Sequence, residues 1–308
     1  MIPSRLAAGL PFETRRKLFL AALGTPALVY VLAVGVGPVL QGIWYSAFNY
    51  SLIHPARRHF VGLDNYSALL GDAVFRSAFV NTVVFTVAAV TIEFLAGLGI
   101  ALLLWRDGRF NQVCLALLLV PVTITPIAVG LIFKGMLEPD TGLVGYWLVH
   151  WGIGDPRGLL GAGHSALATL VLMDVWEWTP MMALILLAGL KALPPDILEA
   201  AVADGATALQ RFWLVILPLL LPAVFIGLVL RIMDAFRLFD TVFVTTGGGP
   251  GGATDTLMMI AVKRGLQFFD IGSASAVGNV MILCLAVMAS FFVLVFRRAD
   301  RLAHGVKS

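Results

Sequence analysis

The chain has 308 residues, 59% of them apolar and 13% charged, with a formal net charge of +3 and a mean hydropathy of +0.93. Soluble globular chains are about 45 to 50% apolar and about 25% charged, while 31 glycines without a period and only two cysteines exclude collagen-like, disordered and disulfide-stapled classes. Six segments summing to 160 residues hold only three of the 39 formal charges, which is the distribution of an all-α integral membrane protein.

In chain order these segments are Leu18 to Ile53, Ser77 to Trp105, Phe110 to Phe133, Ser165 to Leu190, Phe212 to Leu230 and Ile271 to Phe296. Each is long enough to cross a hydrocarbon core of about 30 Å as a helix. A barrel would instead need short alternating strands. The expectation is therefore one six-helix membrane domain over 1–308, with an N-terminal tail 1–17, six helices within 18–296, a loop 191–217 and a C-terminal tail 297–308. The first run of 36 residues exceeds the apolar core of a signal peptide and precedes no small-residue cleavage site, so it reads as a retained helix with an irregular end near Pro38.

Lysine and arginine in short loops set orientation. With the N-terminus inside, Arg5, Arg15, Arg16, Lys17, Arg106, Arg109, Lys191, Arg211, Arg297, Arg298, Arg301 and Lys307 are cytoplasmic, 12 of the 21 basic residues. An even number of spans then puts both termini in the cytoplasm. The basic balance is explained by anchoring at headgroups and requires no nucleic acid.

Cys114 and Cys284 lie inside apolar spans as small hydrophobes, and His54, His59, His150, His164 and His304 lack metal-ligand spacing. No lysine sits in a phosphate-cradling GxxxxGK[ST] loop. The expectation is a chain without catalytic residues, metal or nucleotide site of its own.

Leu190 to Ala223 breaks the pattern of short polar connections. Pro195 and Asp196 suit a first helical turn, and Gly205 suits a left-handed C-terminal cap. The spacing places Ile197, Leu198 and Ala201 on one side, with Glu199 and Asp204 pointing elsewhere. The result is a short amphipathic helix that forms a compact knob. Glu199-Ala200-Ala201, then Gly205, then Leu217-Pro218 resembles the EAA motif of membrane subunits of ATP-binding cassette importers, with Val215 where isoleucine is expected. Two further stretches, Phe60 to Tyr66 and Arg231 to Asp240 followed by Thr246 to Gly251, resemble the carbohydrate-uptake branch. The resemblance spans about residues 18 to 298.

It implies a permease subunit of a sugar importer in the bacterial inner membrane. A second permease, a different chain, would complete the path. Two nucleotide-binding subunits would carry ATP and Mg, and a solute-binding protein would deliver the sugar. Coupling to the ATPase would fall to Glu199, Ala200, Ala201, Asp204 and Gly205. The loop Gly247, Gly248, Gly249 and Pro250 would approach the binding protein, or serve only as a flexible connector. Residues 138–164, with Trp147 and Trp151, read as an interfacial helix near the same partner.

Ionisable groups within the spans cost about 2.5 to 3.5 kcal/mol each and should face a partner or a wet cavity. At about 1.5 Å per residue, Glu177 and Arg231 lie level on antiparallel helices, as do Asp174 and Asp234. A Glu177–Arg231 salt bridge is geometrically available. Glu177, Trp178, Met181, Arg231, Asp234 and Leu238 then bound a sugar chamber or, alternatively, an internal ion pair that joins two helices. Glu93 reads as an interhelical hydrogen-bond partner, and Arg237 and Asp240 as structural residues at the water interface. A proton-coupled secondary transporter, using Asp174, Glu177 or Glu93, is the alternative function.

Overall fold

A computed structural model describes residues 11–106, 108–153 and 155–304. The expectations for residues 1–10 and 305–308, with Arg5 and Lys307, lie outside the described residues, as do the side chains of Arg15, Arg297, Arg298 and Arg301. Among the described residues, five helices are long and apolar enough to cross a membrane: α1 (Phe12–Ser46), α3 (Ala73–Leu104), α7 (Gly163–Lys191), the helix that begins at Ala208, and α13 (Ile271–His304), of which Ile271–Val295 is the apolar part. Helix runs from Phe12 and on to His304, so it takes in residues of the tails expected at 1–17 and 297–308.

The third expected span is not one helix. Its residues form α4 (Arg109–Leu118) and α5 (Pro126–Met136), and the path turns by 93° between them. Pro121 and Pro126 cause the break. Proline supplies no amide hydrogen and pushes its predecessor toward extended backbone, and Thr125 accordingly has φ −71° and ψ 144°. The apolar content of Phe110 to Phe133 conceals this turn.

Prolines also explain two local widenings of the helical ladder. α1 carries a π turn at Val31–Val36 just before Pro38, and Phe212–Ile216 forms another just before Pro218. A proline clashes with the carbonyl four residues earlier, and a widened turn relieves the clash without ending the helix. The irregularity anticipated near Pro38 is therefore internal to α1.

After α1 come a two-stranded antiparallel ribbon, β1 (Phe48–Asn49) and β2 (His59–Phe60), and α2 (Asp64–Gly71). The Phe60 to Tyr66 stretch has a structural job here. Asn65 donates to the carbonyls of Ser46 (2.7 Å) and Phe48 (2.9 Å), while the Tyr66 hydroxyl meets Ser46 Oγ at 2.7 Å and accepts from Asn279 of α13 at 2.9 Å. These bonds tie the end of α1 to α13.

The centre of the bundle is α3 packed along α7, crossed by α10 (Leu217–Ala235). α6 (Gly145–His150), α8 (Pro195–Ala203) and α12 (Leu257–Val262) are short elements between the spans, while α9 (Ala208–Arg211) and α11 (Asp240–Thr245) begin and end the stretch that contains α10. Small residues let the long helices approach. At Gly97 of α3 a Cβ would lie 2.9 Å from Met182 Cγ and 3.0 Å from the Ala183 amide nitrogen of α7. One apolar cluster, with Phe85, Leu170 and Met173, fills the middle; another, with Ala101, Leu186 and Leu220, fills the end that carries α8. Most of α1, by contrast, is exposed in the single chain.

Candidate functional site

The side chain of Arg231 organises the middle of the bundle. It projects from α10 and is 1% exposed, so its charge needs partners. Nε and Nη2 donate to Glu93 Oε2 (2.7 Å) and Oε1 (2.8 Å) of α3, in a forked pair. Nη2 also donates to Asp174 Oδ2 of α7 at 2.7 Å, and Nη1 to Asp234 Oδ2 one turn along α10 at 2.6 Å. Trp178 of α7 covers the guanidinium face at 4.7 Å. One cation thus joins three helices.

The Glu177–Arg231 bridge that their levels make available is not what forms. Glu177 is 2% exposed and its Oε1 has no hydrogen-bond partner among the described residues. Depth arithmetic fixes a residue's level to within a helical turn but says nothing of azimuth, and it compared only two helices. Glu93, on the third, takes the forked pair. The reading of Glu93 as an interhelical partner agrees with its place.

Beside this network lies a cleft of about 80 Å³, lined by Asp174, Trp178, Asp234, Arg237, Leu238 and Asp240, among others. Small-molecule sites run to about 300–1,000 Å³, so this is a constriction rather than an open chamber. Of the expected path residues, the structure brings Trp178, Asp234 and Leu238 to the cleft, and puts Arg231 behind Asp234. Glu177 and the half-buried Met181 are not among its lining residues. Arg237 and Asp240, expected to be structural, do line it. Their signal was present in the sequence, since they continue the charged run that starts at Arg231.

At the α8 end, the knob forms as its residues direct. α8 starts at Pro195 and ends in a Schellman motif: the Ala206 amide donates to the Ala201 carbonyl and the Gly205 amide to Val202, both at 3.0 Å. Gly205 has φ +76°, which glycine adopts without strain. Thr207 and Gln210 then cap α9 reciprocally. Leu198 packs on the adjacent apolar cluster with Ala201 half-buried beside it, while Glu199, Ala200, Asp204 and Gly205 are exposed. Ile197 is a correction, since it is 43% exposed rather than on the packed side. The hundred-degree step between neighbours leaves room for one of the two against the bundle.

At the other end, the glycine-rich loop is pinned rather than loose. Lys263 pairs with Asp255 at 2.6 Å, Thr246 meets Thr254 at 2.7 Å, and Asn81 of α3 donates to the carbonyls of Gly252 (3.3 Å) and Asp255 (3.0 Å). Gly248 is buried against Asp255, and Gly247, Gly249 and Pro250 are half-buried. The reading as a flexible connector does not fit these bonds. Among the described residues of 138–164, α6 and the first two residues of α7 are α-helical, and at α6 Tyr146, Trp147, His150 and the following Trp151 pack ring against ring.

Long apolar helices, a buried ionic junction and an exposed capped knob define a multi-span membrane transport subunit. Residues 93–304 match the family model described as binding-protein-dependent transport system inner membrane component. The chain is 36% identical over 280 residues to a probable ABC transporter permease of Sinorhizobium fredii, covering 90% of each chain. It is 36% identical over 266 residues to a trehalose/maltose transport system permease of Thermococcus litoralis, covering 86% of this chain and 88% of the relative. Among solved structures, a bacterial transporter described as importing the acidic polysaccharide alginate superposes with a TM-score of 0.80 at 20% identity, over 93% of this chain and 97% of that one. That likeness shows the fold alone. The chain belongs to the family of binding-protein-dependent transport system inner membrane components, and is a multi-pass permease subunit of an ABC importer. Family membership does not favour the proton-coupled alternative.

Proposed function

We propose that this chain lines the sugar path of an ATP-driven importer and transmits the work of separate ATPase subunits through α8. The observation that carries the proposal is the pairing of a buried, three-helix ionic junction beside a polar cleft with a rigid, exposed knob at one end of the same helices. Trehalose and maltose, named for the Thermococcus relative, supply the substrate class by analogy. In this reading Trp178, Asp234 and Leu238 face the cargo, with Arg231 holding Asp234 in place. Glu177 and Met181 join them when the constriction widens. ATP and Mg belong to the partner subunits, and the binding protein docks near Gly247 to Pro250.

The α8 end is then cytoplasmic, as are both termini. Glu199 offers an exposed carboxylate for a charge-assisted contact, and Gly205 fixes the angle at which the knob stands. Because α8 packs through Leu198 on the ends of α3, α7 and α10, a push on the knob moves the helices that carry Glu93, Asp174 and Arg231. The test is reconstitution of the full importer in proteoliposomes with the binding protein and labelled sugar. ATP-dependent uptake supports the proposal; uptake driven by a proton gradient without the ATPase would sink it.

A further inference from the structure

We infer that the path through this subunit admits uncharged, hydroxyl-rich sugars and rejects sugars that carry an acidic group. The inference rests on the proposed role as a sugar path and assigns the charge of its cargo, which the fold does not set, since a transporter of an acidic polysaccharide shares it.

The first observation is that Arg231 is spent. Of a guanidinium's five donors, four are used on Glu93, Asp174 and Asp234, its face is covered by Trp178, and it is 1% exposed. An arriving carboxylate or phosphate finds no fork on Arg231 to bind. The second observation is what does reach the cleft. Asp174, Asp234 and Asp240 line it against a single cation, Arg237, which already donates to the Met233 carbonyl at 3.2 Å and stands 3.8 Å from Asp234. The third is Glu177, outside the cleft lining but one turn from Asp174 and buried, with an acceptor oxygen that no donor in the described chain satisfies.

Acceptors in excess of donors are complementary to hydroxyl groups, which donate as well as accept. They repel an anion, because like-charge juxtaposition across an interface is strongly unfavourable. Trp178 supplies an aromatic wall for the apolar face of a sugar ring. The selecting residues are thus Asp174, Asp234 and Asp240, with Arg231 serving as a positioning residue for the first two.

The test uses the assembled importer in nanodiscs, without the binding protein, so that the latter's own selectivity does not enter. Binding is read by calorimetry and by tryptophan fluorescence with trehalose, maltose, sucrose and cellobiose, and with the size-matched anions maltobionate and trehalose 6-phosphate. The expected result is saturable binding of at least one uncharged disaccharide, with the anions at least about tenfold weaker. Anions that bind as well as the best neutral sugar overturn the charge inference and leave the importer reading standing. If neither class binds, and uptake by the full importer with its binding protein also fails for both, the sugar-path reading itself falls. Asp234→Asn, at a half-exposed position, should narrow the neutral-over-anionic ratio about tenfold; an unchanged ratio overturns the assignment to these carboxylates.

Discussion

Replacing Arg231 with methionine would remove the only cation that touches Glu93 and Asp174 among the described residues, while keeping an unbranched, apolar side chain in place of the arginine stem. Four hydrogen bonds of 2.6 to 2.8 Å to three carboxylates disappear together. Glu93, with 0% exposure, has no route to water, and Asp174, 7% exposed at the cleft, has little, so the stranded charges must be neutralised or the packing must distort. Breaking a buried pair in this way costs about 3 to 5 kcal/mol, on the order of 10 °C in apparent Tm for a chain of this size. Glu93→Gln alone should cost less, about 1.5 to 3 kcal/mol, because one amide oxygen still accepts while the amide nitrogen opposes a guanidinium donor. Adding Glu93→Gln to Arg231→Met should recover part of the loss, since it removes one of the stranded charges. Glu177→Gln is the control. Its Oε1 accepts nothing from Arg231, so the substitution should leave stability within about 0.5 kcal/mol or raise it. The assay is thermal unfolding of the assembled complex in detergent, followed by size-exclusion fluorescence, with uptake measured in parallel. The reasoning is refuted if Glu177→Gln lowers the Tm as much as Glu93→Gln does, or if Arg231→Met unfolds at the unmodified temperature.

Gly205→Val should strain the Schellman turn by about 1 to 2 kcal/mol, reorienting α8 and reducing ATP-driven uptake while the permease pair still assembles; uptake at the normal rate would show that the knob's angle is immaterial. Glu199→Ala should weaken co-purification of the ATPase subunits without changing the Tm of the permease, because the side chain is exposed. Gly97→Val should overpack α3 against Met182 and cost about 1 to 3 kcal/mol, visible as a lower Tm. Asp255→Asn should loosen the 246–256 loop through loss of the Lys263 pair, worth about 1.5 to 3 kcal/mol, and hydrogen exchange there should accelerate while exchange in α7 does not.

The sequence by itself determined what is decided within a few neighbouring residues. Unbroken apolar runs made the spans, because a backbone in lipid must satisfy itself as helix. Pro195, Asp196 and Gly205 set both ends of α8, since a first-turn proline and a left-handed glycine act on their own backbone. Charges inside apolar runs announced an ionic junction, because none of them is tolerated alone in lipid. The tertiary structure decided which charges met. Arg231 reaches Glu93 across 138 residues and Asp174 across 57, and the choice of these over Glu177 depends on how α3, α7 and α10 rotate as Gly97 and its neighbours pack. The pinning of the glycine-rich loop by Asn81 and Lys263 is of the same kind. Helix azimuth and loop closure arise from contacts between distant segments, and no local pattern carries them.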